Sequence, residues 1–163
     1  MNNVLGPVKF GLVLVLLSLA FGVGMGVSFG VNEEAFQSHI SAGITANPDV
    51  HDEKSAGKIW RYAQRAHFHA AGIAAFSLGL VLIIAFSGMK APAKKLAALL
   101  VGLSGFYPLS WFMMYMLSPE IGRHAAHGHI LTESFTYIGV GGLLLGFLMI
   151  IANLLFGLFS EAS

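Results

Sequence analysis

The chain contains no cysteine. That excludes disulfides, thiolate metal sites, iron–sulfur clusters and covalent c-type haem attachment. Charge is almost as scarce. Only 10% of the 163 residues are Asp, Glu, Lys or Arg, where a soluble domain carries about 25%. The formal net charge of +1 leaves no basic excess to grip a phosphate backbone, so nucleic acid is not an expected partner. No P-loop, Rossmann fingerprint, G-x-S-x-G elbow or H-E-x-x-H is present. The adjacent acids Glu33–Glu34 and Asp52–Glu53 read as solvated surface of a polar loop.

What the chain has instead is apolar length. Hydrophobic residues make up 56%, gathered into four runs at about 10–31, 66–89, 96–117 and 130–159. Phe10 to Val31 holds no charge and is long enough to cross a hydrocarbon core of about 30 Å as a helix. It is too long for a signal-peptide core and lacks a clean small-x-small cleavage site. Gly22, Gly26 and Gly30 recur every fourth residue, a spacing that lets another helix approach closely. Pro108 predicts a kink in the third run. A polar outer loop, 32–65, separates the first two spans, its latter part from Asp52 reading as an interfacial helix with Trp60 and Tyr62 as anchors. The expectation is an all-α integral membrane four-helix bundle, one domain of 1–163 built from two similar helical hairpins.

Lys9, Lys90, Lys94 and Lys95 fall on one side of this topology. Lys54, Lys58, Arg61, Arg65 and Arg123 fall on the other. The first group abuts its spans directly, which favours both termini in the cytoplasm of a bacterial inner (plasma) membrane. The histidines then lie on the outer face: His39, His51, His67, His69, His124, His127 and His129, all seven of them. Two arrive as H-x-H pairs, "AHFHAAG" and "AAHGHIL", each opening an apolar run. Residues i and i+2 of a helix point about 200° apart, so one member of each pair can face a shared point.

One imidazole from helix two (His67 or His69) and one from helix four (His127 or His129) are what bis-histidine haem b requires. Such haem carries electrons. Arg65 and Arg123 lie where propionates would emerge. Phe68, Phe76, Phe106, Trp111, Phe112, Phe135 and Tyr137 could wall a porphyrin, and Ala70, Ala71, Gly72 and Gly128 could leave it room. Glu133, the one carboxylate in an otherwise apolar span, could orient His129 or accept a proton from quinol, or equally snorkel to the interface one turn away.

"LAFGVGMGVSFGV" (Leu19 to Val31), the following polar loop and "AHFHAAGIAAFSLGLVL" (Ala66 to Leu82) resemble small four-helix membrane proteins related to haem–copper oxidase subunit I. The "AHG" of Ala126–Gly128 is similar to that family's low-spin haem helix. The resemblance covers the first two helices and a fragment of the fourth. It implies a haem-ligand role for His127. The chain is too short for twelve helices and shows no copper triad or His–Tyr pair, so oxygen reduction by this chain alone is not expected.

Copper or zinc is the alternative, held by His67, His69, His124, His127, His129 and Glu133, with His39 and His51 able to close over the site. Met113, Met114 and Met116 sit near the same end and would favour Cu(I). A third reading is a cofactor-free accessory subunit whose histidines are merely interfacial. An electron-transfer or metal-holding subunit, in a homo-oligomer or larger membrane oxidoreductase complex and possessing no assignable catalytic residue, is as far as the sequence reaches.

Overall fold

Charge does not end the first helix where the apolar run stops. In "VNEEAFQ", Asn32 leaves helical geometry (φ −151°, ψ 58°), and its Oδ1 accepts the N–H of Ala35 at 3.2 Å. This is an N-cap inside a helix: Asn32 ends the membrane segment and starts a second one, with Glu33 and Glu34 at the electropositive end. The computed structural model, which describes residues 4–160, therefore has a first helix, α1, that runs from Lys9 to Ala46 with a bend. A short 3-10 turn, Pro48–Val50, leads to α2, Ser55–Phe86. The polar segment 32–65 is thus mostly helical.

The third span is two helices in line: α3 (Ala91–Gly102), a 3-10 turn (Leu103–Gly105) and α4 (Phe106–His127). The break sits just before Pro108, whose ring conflicts with the carbonyl of residue 104 and which has no N–H to offer it. Ser104 uses its side chain there, pairing with Ser77 of α2 at 3.0 Å. The connection after Leu117, expected to be polar loop, remains helical to His127. The last helix, α5, spans Ile130–Phe156.

The fold is all-helical, and its four membrane-crossing segments are each long and apolar enough to span a bilayer. Large apolar side chains such as Leu17, Phe86, Leu148 and Leu154 are more than half exposed. A water-soluble protein would not expose so much contiguous apolar surface, whereas acyl chains cover it at no cost. The third span is central, packing on α1, α2 and α5. The chain thus pairs α1 with α2 and the third span with α5.

Small residues draw α1 and α2 together. Ala63, Ala66, Ala70 and Ala74 form one fully buried stripe of α2. A Cβ on Gly22 would stand 2.7 Å from the backbone nitrogen of Ala71, so this crossing needs glycine. The volume that Ala70 and Ala71 were expected to leave for a macrocycle is filled by α1.

From Phe86 back to Ala66 is 20 residues of α2, about 30 Å of rise, which matches the hydrocarbon thickness. A hydrocarbon layer that begins at Phe86 would end at the level of His67 and His69. Tyr107 and Trp111, which stack on His69 at 5.2 and 5.8 Å between ring centroids, share that level. The bend at Asn32, the first turns of α2, the end of α4 and the start of α5 project beyond it.

Candidate functional site

His67 and His69 are held in opposite directions, as their spacing dictates. The Nδ1–H of His67 donates to the carbonyl of Gly22 at 2.8 Å. Gly26 makes room for the ring, since a Cβ there would lie 2.7 Å from Cε1 of His67. Phe29 and Phe68 flank it. His69 instead donates from Nδ1 to its own helix, at Arg65 O (2.9 Å), and faces Tyr107 and Trp111 on α4.

The other pair lies elsewhere. Gly139 of α5 abuts the backbone of Tyr107, so His69 is level with Gly139. His129 precedes Gly139 by ten residues and stands about 15 Å farther out. His127 ends α4 beside it and is exposed. One porphyrin iron needs its two axial imidazoles directly opposite each other, and these pairs sit at different depths. His129 is also engaged otherwise: its Nδ1 accepts the N–H of Leu131 at 3.3 Å, capping α5. The proposed aromatic wall is dispersed too. Phe68 and Tyr137 are 65% and 71% exposed, Phe106 packs on Phe135, and Phe112 packs on Phe21. The side chains as arranged do not form a single bis-histidine haem pocket.

Glu133 is an exposed first-turn residue of α5, beyond the aromatic level. An acid in the first turn complements the electropositive end of the helix. Arg65 lies over the ring of Trp111, 4.7 Å from its centroid. Arg123 makes an ion pair with Asp52 at 3.0 Å. Neither arginine borders a shared cleft with both histidine pairs.

The structure does assemble a different group. A pocket of 620 Å³ at the histidine-bearing mouth of the bundle is lined by Asp49, His51, Asp52, Tyr62, His124 and His127, among others. Gly122 makes it possible. Its φ of 80° with ψ of 157° lies in a region essentially reserved for glycine, and the helix restarts there at a new angle. The turn bearing His124 and His127, three residues apart and on one face, thereby rests over the 48–52 loop. Val50 packs against Gly122, 3.1 Å from where a Cβ would be.

That loop is firmly tied. Asp52 accepts the Ser55 hydroxyl at 2.8 Å and the Lys54 N–H at 3.0 Å, while Ser55 Oγ accepts the Asp52 N–H at 3.0 Å. The Ser55 bond, aided by Arg123, holds the Asp52 carboxyl below its ordinary value of 3.8. Asp52 is exposed, as expected of a surface acid, and its bonds to Ser55, Lys54 and Arg123 also tie the loop to the end of α4. His51 is fixed as well. A carbonyl can only accept, so its contact with Pro119 O at 3.0 Å comes from Nε2–H, which leaves Nδ1 as the lone-pair nitrogen. Nδ1 is buried and has no hydrogen-bond partner. A backbone carbonyl fixing the tautomer is the usual support of a ligating imidazole.

Among the described residues, no three His, Asp or Glu side chains already converge at metal-ligand spacing. His124 and His127 are exposed and free to change rotamer, a step of picoseconds to nanoseconds. His39, on the outer part of α1, stacks on Tyr115 at 5.2 Å and does not line this pocket. Nor do Met113, Met114 and Met116. Gly122 and Asp49 are not marked by the sequence. Asp49 is one acid within the polar 32–65 segment, and Gly122 has no periodic context that marks a bend.

No family model matches the chain, and neither a curated protein nor a solved structure matches it. The resemblance to haem–copper oxidase subunit I rests on the short motifs alone.

Proposed function

We propose that the protein binds a transition-metal ion at the outer mouth of its bundle, with His51, His124 and His127 as ligands and Asp49 as the nearest available carboxylate. The observation that carries this reading is the pocket those side chains line together, with His51 held from behind by Pro119. Imidazole and carboxylate ligands suit Zn(II) or Cu(II). Cu(I) would call for thioethers, and the methionines lie outside the pocket. Asp52 is committed to Arg123, Ser55 and Lys54, so it shapes the site and leaves coordination to its neighbours. An ion there would draw the end of α4 onto the 48–52 loop. The role that follows is metal holding at a membrane surface, either for delivery or as a subunit of a larger membrane assembly.

Zn(II) titrated into the detergent-purified chain by calorimetry tests it. His124→Ala and His127→Ala should each weaken binding by at least about tenfold, with the helical circular-dichroism signal unchanged because both residues are exposed. His67→Ala and His69→Ala should leave the affinity near that of the parent. Equal affinity across all four variants would reject the pocket as the site.

A further inference from the structure

One face of α2 runs without interruption from the water to the interior of the bilayer. Lys58, Arg61 and Arg65 begin it and His69, Ile73 and Phe76 continue it, at three- and four-residue intervals that keep them on one side of the helix. The upper part, with Tyr62, lines a pocket of 190 Å³. The lower part is one wall of an apolar groove of 370 Å³, whose far wall is α5 at Val140, Leu143 and Leu144 and whose floor is Ser104 and Tyr107. It continues inward along Leu80 and Phe147.

The two parts are joined by stacked rings. Arg65 covers Trp111, His69 touches both Trp111 and Tyr107, and Tyr107 lines the groove. Among the described residues, no carboxylate makes an ion pair with Lys58, Arg61 or Arg65; the ion pair present is Arg123–Asp52. Arg65 stands 21 residues above Phe86, about 31 Å. That places the three cations just outside the hydrocarbon, in the headgroup layer.

We propose that this face binds one anionic phospholipid, its phosphate among Lys58, Arg61 and Arg65 and an acyl chain in the groove between α2 and α5. The three unpaired cations select for negative charge at headgroup depth. The groove beneath them takes a chain. An uncharged isoprenoid quinone would fill the groove and leave the cations unanswered, and a free phosphate would do the reverse.

The test uses the full chain in nanodiscs of equal phosphatidylglycerol and phosphatidylcholine, released into detergent and analysed by native mass spectrometry for retained lipid. Phosphatidylglycerol should be retained over phosphatidylcholine by about tenfold. Arg61→Gln combined with Arg65→Gln, both exposed positions, should bring the ratio close to one. Leu144→Trp, 55% exposed, should fill the groove and reduce total lipid retained. Lys95→Gln at the opposite end and His124→Ala in the metal pocket should leave the ratio as it was. Equal retention of the two lipids by the parent chain would overturn the proposal. So would an unchanged ratio in the double variant, or displacement of the lipid by millimolar inorganic phosphate, which would mark an anion pocket only.

Discussion

Gly122 is the residue on which the histidine-bearing mouth turns. Its backbone angles are open to glycine and strained for any other residue. Gly122→Ala should cost about 1–3 kcal/mol, measured as a lowered unfolding midpoint in detergent, and should weaken metal binding through displacement of His124 and His127. Asp52 gives a second test. Its folded carboxyl is held below 3.8 by Ser55 and Arg123, so its contribution is complete above that value and is lost as pH falls through and below it. Arg123→Gln should move the Asp52 titration, followed by carboxyl NMR, back up toward 3.8. An unmoved titration would mean that the ion pair does not hold the mouth. Neither residue announces itself in sequence. Asp52-x-x-Ser55 is a weak capping signature, and a single glycine among polar residues carries no period.

At the scale of elements, the apolar runs made the four spans readable because nothing else places so many uncharged residues in sequence. Their ends were less readable. Asn32-Glu-Glu could have been taken for an N-cap with acids in the first turn, which is what it is. The expectation of a loop overlooked that polar helices can continue a span into water when another helix runs beside them. Pro108 pointed to the right place for a break, and the break falls one turn earlier, where the missing hydrogen bond is felt. The glycine spacing on α1 also had its structural meaning, at two of its positions. Gly22 takes the backbone of α2 and Gly26 takes the ring of His67, while Gly30 faces open space. Gly22→Leu should therefore force the helices apart. A loss of at least about 1–3 kcal/mol is expected from overpacking, against little change for Gly30→Leu; comparable midpoints for the two would contradict the crossing.

Across the whole molecule, the histidines gather at one end of the bundle, and this much follows from their positions along an up-and-down chain. Depth does not follow. The H-x-H motifs open apolar runs in both cases, yet α2 begins twelve residues before His67 and α5 begins just after His129. Equal positions in a hydropathy pattern thus became unequal heights in the bundle. That difference separates the pairs and gives His51, His124 and His127 a pocket of their own. It also leaves the boundary at His69 to the aromatic rings of Tyr107 and Trp111.

The most direct measurement is elemental analysis of the detergent-purified chain, together with its absorption spectrum before and after dithionite. Zinc or copper near one ion per chain, no Soret band, and loss of that metal in His124→Ala are the predicted results. Iron at that stoichiometry with a Soret band and sharp reduced α and β bands would contradict the account, and would mean that the two histidine pairs meet after all.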